Sequence, residues 1–415
     1  NFLVWASLCS CLVLFVFPLM LLGTVSPSLM KYTTDSLDDN GKTLGELEAL
    51  NTIGSIIGTF LPTFVTIPAV GTARTFLIFA AILAIISLAF FISRRRWIAR
   101  GAVSAVVITA LIFTPVNYSF AFWDSGDIVL EDESIYNYLQ VTENESRIAL
   151  STNVAFGVQS IKMKSGNMTG MYYDYALAAP LMAENAQDVL ILGLGTGTFA
   201  EQCLEYFPGC NVTGVEIDEK IVNISREYFD LPEEVNAVVG DGRAWLTASE
   251  DSYDVIMVDA YQDITIPFQM SSVEFFTEVY EHLNPGGVMV VNMSMRSESE
   301  GSMNEYLIDT IASVFPHVYT VRVSAGTNLE LFATADGDAL ARFRERYPSE
   351  PEEYAAIMQR VDENLVTVEG GDYILTDDKA PVELLGMRVL DEIIAGELDI
   401  LRDQIAEDGI MSLLS

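Results

Sequence analysis

Apolar positions dominate residues 1–118, in stretches long enough to cross a lipid bilayer. A helical span needs about 20 predominantly apolar residues. The candidate spans are Phe2–Thr24, Leu50–Val70, Thr75–Ser93 and the shorter Ile98–Pro115. Their apolar cores carry no charge, so nothing marks an ion or proton path. We therefore predict about four transmembrane helices that anchor the chain in a bilayer, with a polar loop at Lys31–Glu48.

The distribution of arginines leaves the orientation in the membrane open. Arg94–Arg96 and Arg100 lie between the third and fourth apolar stretches, and loops rich in Lys and Arg tend to be cytoplasmic. If Ile98–Pro115 then crosses the bilayer, the rest of the chain is extracytoplasmic, whereas a nucleoside ligand favours the cytoplasm. Because the sequence starts at Asn1 within an apolar stretch, we expect it to be a segment of a longer protein with an upstream membrane part.

The pattern shortens and alternates after the apolar region. Residues 119–170 are rich in β-branched side chains at alternating positions, which predicts β-hairpins, and a short helix follows them. In residues 171–390, short apolar runs alternate with helical stretches. This pattern is typical of a doubly wound, Rossmann-like parallel sheet of the class I methyltransferase type. The predicted strands are Val189–Leu192, Asn211–Glu216, Glu234–Val239, Val255–Asp259, Val288–Asn292 and Thr327–Ala335. Residues 391–415 are interpreted as a C-terminal helical tail.

A glycine-rich turn follows the first predicted strand of this sheet. Glycines between a strand and a helix let the backbone approach a ligand at the helix N-terminus, and Gly193, Gly195 and Gly197 have this placement. Glu216, at the tip of the second strand and about 20 residues on, is placed to accept hydrogen bonds from ribose hydroxyls. The spacing predicts a nucleoside-binding α/β domain.

Two further acidic residues end strands of the same predicted sheet, where ligands of such sheets bind. Asp241, followed by Gly242, can accept the exocyclic amine of adenine, or it can simply cap the next helix. Asp259 can serve as a general base, bind a cation or cap a loop. Asp263 lies four residues on, and two carboxylates near one site raise one pKa, which helps a base to take a proton from an ammonium group.

Charge and cysteine content exclude several classes of ligand. Residues after 118 carry 53 of the 58 acidic and 15 of the 22 basic side chains, and such a surface repels nucleic acid. We interpret it as a salt-adapted, solvated acidic shell. No metal-ligand spacing is present among four cysteines and two histidines. Cys203 and Cys210 are expected to be buried and unpaired rather than disulfide-bonded.

Taken as a set, the motifs of the chain resemble those of the spermidine synthase (polyamine aminopropyltransferase) family. The motifs that carry the resemblance are VLILGLGTGT, VEID, VVGDG, YDVIMVDA and LNPGG, preceded by Gln159 and by Tyr172-Tyr173-Asp174. The segments PLMLLGTVSPSLM, LNTIGSIIGTFLPTF, VDAYQDITIPF and LTDDKAPVE are similar to the membrane-fused branch of that family. The resemblance extends over nearly the whole chain.

The resemblance implies an in-line transfer of an aminopropyl group from decarboxylated S-adenosylmethionine to an amine, with release of methylthioadenosine and without a metal. A family member is also expected to be a dimer by default. The implied base is Asp259. The implied nucleoside contacts are Gly193, Gly195, Thr196, Gly197, Glu216, Asp241, Gly242 and Gln159, and the implied amine contacts are Asp174, Tyr173, Asp263 and Tyr261.

Three positions depart from the family pattern. Thr196 stands where the family's glycine loop usually carries an Asp that holds the donor's amine. Gln262 stands where the second acid of the catalytic loop is expected, with Asp263 one residue later, and Ala179 stands where a His is expected before Pro180. The donor could therefore be S-adenosylmethionine itself, which would make the chain a methyltransferase. A third reading is a transporter whose attached domain senses an adenosyl nucleoside without turnover.

Overall fold

The computed structural model describes residues 2–33, 40–93, 98–113, 127–153, 158–166, 168–260, 266–293, 300–324 and 328–389. The chain divides into two compact units. The first unit comprises Asn1–Asp124 and Leu130–Leu139, and the second comprises Ser125–Val129 and Gln140–Ser415. The predicted amine contacts Tyr261 and Asp263, together with Gln262 and the predicted helical tail at 391–415, lie outside the described residues.

Helices make up most of the first unit. They are α1 (Phe2–Gly23), α2 (Val25–Thr33), α3 (Asn40–Leu61), a π-helical turn (Pro62–Thr66), α4 (Ile67–Val70), α5 (Thr72–Ser93) and α6 (Ile98–Phe113). Three stretches, Trp5–Lys31, Gly41–Val70 and Thr72–Ser93, are long and apolar enough to cross a membrane by length and composition. The fourth candidate retains a shorter apolar helix, Gly101–Ala110.

One prediction for this unit is wrong. The polar segment after Lys31 was expected to be a loop as far as Glu48, but α3 begins at Asn40. The first turns of α3 read NGKTLGELEAL. Leu, Glu and Ala have high helix propensity, so this segment forms a helix although it is polar. The helical stretch therefore begins about ten residues before the apolar window of its span.

The end of α4 shows how the sequence interrupts the helical stretch before α5. Pro62 and Pro68 lack an amide donor, and the first of them opens the π-helical turn. Gly71 then adopts a positive φ of 82° that ends the helix. The carboxylate of Glu133 accepts hydrogen bonds from the backbone N–H and the hydroxyl of Thr72, so it caps the N-terminus of α5.

The β-rich segment forms a four-stranded sheet, as its alternating pattern predicts. Its strands are β1 (Asp127–Glu133), β2 (Tyr138–Glu143), β3 (Arg147–Thr152) and β4 (Val158–Met163), arranged in chain order. The β3–β4 pair is antiparallel. In the turn before β3, the side chain of Asn144 accepts hydrogen bonds from the amides of Ser146 and Arg147.

The larger sheet has eight strands in the order β12-β10-β11-β9-β8-β5-β6-β7. These are β5 (Asp188–Leu192), β6 (Asn211–Glu216), β7 (Asn236–Val239), β8 (Tyr253–Val258), β9 (Leu283–Met293), β10 (His317–Arg322), β11 (Leu329–Thr334) and β12 (Val366–Val368). The five strands from β9 to β7 are parallel, whereas β11, β10 and β12 run antiparallel to their neighbours. The predicted strands of the larger sheet are all present, with ends shifted by a few residues.

Helices cover both faces of this sheet. They are α7 (Tyr172–Ala176), α8 (Ala178–Met182), α9 (Thr198–Tyr206), α10 (Glu219–Tyr228), α11 (Gly242–Ala248), α12 (Val273–Glu281), α13 (Met303–Ala312), α14 (Ala339–Arg346) and α15 (Glu352–Asn364). Alternate residues of β9 enter different cores. Val288 and Val290 pack with α7, α8, α14 and α15, and Met289 and Val291 pack with α12 and α13. Burial on both faces explains why these strands are continuous apolar runs.

Candidate active site

The glycine turn and Glu216 form one hydrogen-bonded unit at the carboxyl edge of the larger sheet. Glu216 is 8% exposed at the end of β6, and its Oε2 accepts a hydrogen bond of 2.9 Å from the Gly195 amide. Its Oε1 accepts a 3.1 Å bond from the Asp218 amide. Burial raises the pKa of Glu216, although these amide bonds oppose the rise. The carboxylate is thus fixed beside the loop with part of its acceptor capacity left for a ligand.

All three turn glycines have positive φ, as the close approach requires. A Cβ built on Gly193 would collide with the backbone carbonyl of Asp259, and one on Gly197 would collide with the side chain of Leu231. At Gly193, the glycine turn after β5 is therefore in direct contact with the backbone of the residue that follows β8. No side chain larger than hydrogen fits between them.

Asp259 follows β8 and has two hydrogen-bond donors. The hydroxyl of Tyr172 donates to Oδ2 over 2.7 Å, and the side-chain amide of Asn292, at the end of β9, donates to Oδ1 over 2.7 Å. Burial raises the pKa of Asp259 to about 7, against the effect of these two donors. A carboxyl with such a pKa can take a proton near neutral pH and is held in one orientation, which are the two properties a general base needs.

Tyr172 and Asn292 are site residues that the sequence reasoning did not assign. Tyr172 is 6% exposed at the start of α7, 87 positions before its partner in the sequence. Its neighbour Tyr173 packs against it with ring centroids 3.9 Å apart and ring planes tilted by 37°. The Tyr173 hydroxyl donates to the backbone carbonyl of Gln159 over 2.6 Å. The sequence indicated Tyr172 only as part of a family motif and Asn292 only as the last residue of a predicted strand, without a role for either side chain.

The tyrosine pair connects strand β4 to the carboxyl edge of the larger sheet. Gln159 belongs to β4, and its side-chain Oε1 accepts a 3.4 Å bond from the Thr152 hydroxyl. Ser160, next on β4, faces the glycine turn, since its Oγ lies 3.4 Å from the Thr196 amide. Strand β4 therefore lies beside the glycine turn and the tyrosine pair, as a nucleoside contact by Gln159 would require. That contact stays a prediction.

The carboxylate of Asp174 is already hydrogen-bonded by other groups of the protein. It is fully buried and accepts hydrogen bonds from the amide and hydroxyl of Thr169, from the Gly170 amide and from the side-chain amide of Gln202. Burial raises its pKa, and these donors oppose the rise. The arrangement ties the 169–170 turn to α9 and favours a positioning role. Direct contact between Asp174 and an amine, which the resemblance implied, stays a prediction.

Asp241 is the N-cap of α11, with Oδ1 accepting a 2.8 Å hydrogen bond from the Ala244 amide. This is the capping role that the sequence left open, and an adenine contact stays a prediction. One residue after Gly242, the guanidinium of Arg243 forms two parallel hydrogen bonds, of 2.7 and 2.8 Å, with the carboxylate of Asp377. The conspicuous LTDDKAPVE segment is thereby attached to the helix that Asp241 begins.

Thr196 is almost fully buried, and its hydroxyl has no hydrogen-bond partner among the described residues. Those residues contain no group of three or more His, Cys, Asp or Glu able to hold a metal ion. Cys203 and Cys210 are buried free thiols, and the Cys210 Sγ lies 3.5 Å from the Cys203 carbonyl. The expectation of unpaired cysteines is confirmed.

Comparison with known proteins decides the family. Residues 171–333 match the family described as "Spermine/spermidine synthase domain". A "Probable polyamine aminopropyl transferase" from Bifidobacterium longum is 51% identical over 349 residues, which cover 79% of this chain and 77% of the relative. The chain belongs to the polyamine aminopropyltransferase family. It is therefore a transferase of the spermidine synthase type, as its motifs indicated.

More distant similarities cover a shorter range of the chain. The "Polyamine aminopropyltransferase" of Vibrio vulnificus is 28% identical over 206 residues, covering 47% of this chain and 68% of the relative. The solved spermidine synthase of Thermotoga maritima is similar at 17% identity and a TM-score of 0.47, over 55% of this chain and 79% of that chain.

Proposed function

We propose that the chain transfers an aminopropyl group from decarboxylated S-adenosylmethionine to an amine, with Asp259 as the general base. The observation that carries the proposal is the triad of Tyr172, Asp259 and Asn292 at the end of β8, one strand away from the glycine turn of β5 and two strands away from Glu216 on β6. A nucleoside held by Glu216 would place its reactive end beside Asp259.

The chemistry asks little of the protein beyond orientation and proton removal. An amine attacks only as the free base, so Asp259 must take one proton from the acceptor's ammonium group. The amine lone pair then forms the new C–N bond at the propyl carbon, and the C–S bond breaks with its electron pair staying on sulfur. The neutral thioether, methylthioadenosine, is the leaving group. The pKa of about 7 at Asp259 suits a proton transfer near neutrality.

The residues present fit an adenosyl donor. Glu216 keeps unused acceptor capacity toward a ribose, and the three glycines of the turn carry no side chain that would shield their backbone from a ligand. The backbone amide of Thr196 lies 3.4 Å from Ser160 Oγ. The Thr196 hydroxyl is buried and has no hydrogen-bond partner among the described residues. That hydroxyl can hydrogen-bond a donor amine but cannot neutralise its charge.

A product assay tests the proposal. The full chain in detergent or lipid is incubated with decarboxylated S-adenosylmethionine and a panel of amines, and methylthioadenosine is quantified. We expect product with at least one amine and a loss of several orders of magnitude in Asp259→Asn. The absence of methylthioadenosine with every amine would contradict the proposal.

The neutral Thr196 supports methyl transfer from S-adenosylmethionine as the second candidate. Replacement of an acid by a neutral residue removes the repulsion that a donor carboxylate would meet at this position. The discriminating product is S-adenosylhomocysteine. Its formation, without methylthioadenosine, would identify a methyltransferase. Nucleoside binding without either product, unchanged in Asp259→Asn, would indicate a sensing domain.

We also propose that the apolar helices anchor the enzyme in a bilayer. Support comes from the three stretches of sufficient length and hydropathy, of which Trp5–Lys31 and Gly41–Val70 have no buried residue in their most apolar part. Because the donor is a cytosolic metabolite class, the catalytic unit is proposed to face the cytoplasm. Protease accessibility in sealed vesicles of known orientation tests this, and protection from external protease in right-side-out vesicles is the expected result.

A further inference from the structure

The segment that carries Tyr172 consists of two very short helices. α7 and α8 have five residues each and meet at Leu177. The last four carbonyls of any helix have no intrahelical donor, and in a five-residue helix these are most of the carbonyls. Every residue from Tyr172 to Ala183 is nevertheless buried, and buried carbonyls need hydrogen-bond donors. The donors that hold this segment must therefore come from other parts of the chain.

Two arginines of α14 supply donors to the end of α8. They bond the carbonyls of four consecutive residues, Leu181, Met182, Ala183 and Glu184. Arg342 bonds Met182, and Arg346 bonds the other three, with Nη1 2.6 Å from the Ala183 oxygen and Nη2 3.0 Å from the Glu184 oxygen. Arginine side chains can satisfy the last carbonyls of a helix in this way.

A third donor holds the junction of the two short helices. The hydroxyl of Tyr354, on α15, donates to the Leu177 carbonyl over 2.9 Å, and Tyr354 is 0% exposed. Its ring packs against Tyr206, with centroids 4.7 Å apart. We call Arg342, Arg346 and Tyr354 the carbonyl clamp. Its residues lie 160 to 177 positions after the carbonyls that they bond, so no local pattern in the sequence indicates them.

Arg346 is placed to bind carbonyls rather than to neutralise an acid. Among the described residues it bonds only backbone carbonyls, whereas Arg342 also pairs with Asp336 at 2.5 Å. Burial lowers the pKa of Arg346, the like charge of Arg342 adds to this effect, and Glu345 and Glu184 oppose it. A partly buried cation without an ion pair is unfavourable by itself. The contribution of Arg346 is therefore to be sought in the segment that it holds.

That segment leads directly to the base. One short helix separates Leu177 from Tyr172, whose hydroxyl donates to Asp259 over 2.7 Å. A helix of this size is only about 8 Å long, so a shift at the junction also moves its first residue. Because hydrogen bonds weaken steeply with distance and angle, a displacement of about 1 Å in α7 is enough to disrupt the bond between Tyr172 and Asp259.

We infer that Arg346 is a positioning residue of the transfer reaction, which fixes the α7–α8 segment so that the hydroxyl of Tyr172 reaches Asp259. Tyr354 has the same role at the junction of the two helices. The inference rests on the proposed function, because it concerns the base assigned there. It explains how a segment with few hydrogen bonds of its own holds a contact in the site.

The test is the pH profile of kcat/KM from pH 5 to 9, measured on the full chain for the wild type, Arg346→Gln and Tyr354→Phe. Asp259 loses its donor in both variants, so we expect the acidic limb to shift upward by about half a unit to one unit. Such a shift is a loss of roughly 3- to 10-fold at pH 6 with little loss at pH 9. Arg344→Gln is the control and is expected to keep the wild-type limb, because Arg344 is on the same helix but pairs with Asp362.

A double variant separates positioning from general destabilisation. A smaller folded fraction lowers kcat/KM at every pH without moving the limb, and thermal unfolding measures it. Arg346→Gln combined with Tyr172→Phe is expected to have the limb of Tyr172→Phe alone, because both substitutions act on one hydrogen bond. Arg346→Lys keeps a cation near the carbonyls and is expected to reverse part of the shift.

The outcomes distinguish this inference from the proposed function. If no amine yields methylthioadenosine, the proposed function fails and the positioning role fails with it. If product forms and Arg346→Gln and Tyr354→Phe keep the wild-type limb, only the positioning role is wrong. A double variant whose limb lies beyond that of Tyr172→Phe also overturns the role, since Arg346 then acts independently of Tyr172. Should Arg346→Gln not fold, Tyr354→Phe, which lacks a single oxygen atom, decides alone.

Discussion

The hydroxyl of Tyr172 donates a 2.7 Å hydrogen bond to Oδ2 of Asp259, and this bond joins a short helix ahead of the large sheet to the end of its central strand. The donor opposes the effect of burial on the carboxyl, whose pKa is about 7. Tyr172 is itself kept protonated, because burial and the charge of Asp259 raise its pKa well above the ordinary value. The pair therefore has one proton donor and one titrating acceptor near neutral pH.

Tyr172→Phe should move the acidic limb of the pH profile. Asp259 accepts a proton only when ionised, so kcat/KM rises with pH through its pKa. Loss of a donor to the carboxylate raises that pKa, and the limb shifts upward by about one unit. The measurement is kcat/KM from pH 5 to 9. Tyr173→Phe is the control, because the Tyr173 hydroxyl donates to the Gln159 carbonyl instead. An unshifted limb in Tyr172→Phe would contradict the assignment of Asp259 as the titrating base.

Gly193→Ala should abolish activity, whereas Gly240→Ala should be tolerated. A Cβ at Gly193 meets the Asp259 backbone, and its φ of 94° is unfavourable for alanine. Gly240, in the VVGDG turn, has no atom within 4 Å of a built Cβ and no positive φ. Activity and thermal unfolding are measured for both variants. Equal loss in the two would show that contact with Asp259 is not the reason that glycine is needed at 193.

The carboxyl ends of the strands could be predicted from the sequence for a physical reason. Strands buried on both faces are continuous apolar runs, and a polar residue that ends such a run, as Glu216 and Asp259 do, is placed at the sheet edge by the topology alone. Contacts between distant segments leave no such local signal. The Tyr172 and Asp259 pair spans 87 positions, and the hydrogen bond from Arg346 to the Ala183 carbonyl spans 163.

Polar side chains were the harder part of the prediction. An Asp can cap a helix, support a turn or bind a ligand, and the residue type fits all three. The Asp241 carboxylate caps α11, whereas the Asp174 carboxylate accepts hydrogen bonds from the neighbouring turn and from Gln202. Only the packed structure distinguishes these cases, because the deciding quantity is how many donors surround the carboxylate.

Asp259→Asn should stabilise the protein at alkaline pH while it inactivates the enzyme. The pKa of Asp259 is raised from 3.8 to about 7 on folding, so the folded state binds more protons than the unfolded state between these values. Its contribution to stability is therefore fully present below about pH 4 and is lost as the pH rises toward 7. An uncharged Asn carries no such loss.

The measurement is the free energy of unfolding of the wild type and of Asp259→Asn at pH 5 and at pH 8. We expect the difference between the two proteins to favour the variant more at pH 8. Asp377→Asn is the control with the opposite sign, because the hydrogen bond from Arg243 lowers the pKa of Asp377. Its removal is expected to destabilise the protein at both pH values. A difference between wild type and Asp259→Asn that is independent of pH would show that this carboxyl is not raised on folding.

Arg243→Lys should weaken donor binding more than it slows the chemical step. The guanidinium pairs with both oxygens of Asp377, bonds Glu278 of α12 at 3.2 Å and donates to the Gln269 carbonyl at 2.9 Å. Asp377 also accepts a hydrogen bond from Ser272, the N-cap of α12. Arg243 thus fixes the start of α11, where Asp241 and Gly242 border the proposed nucleoside site, against three other segments.

A lysine cannot reproduce this fork of donors. We expect Arg243→Lys to raise the donor KM several-fold with little change in kcat, and to cost about 1–3 kcal/mol of unfolding free energy. Arg344→Lys is the matched control, because Arg344 pairs with Asp362 through one nitrogen and its side chain is 53% exposed. Such a pair contributes about 1 kcal/mol or less. A fall in kcat at unchanged donor KM would place Arg243 in the chemical step instead, and equal effects of the two substitutions would remove any special role for the LTDDKAPVE segment.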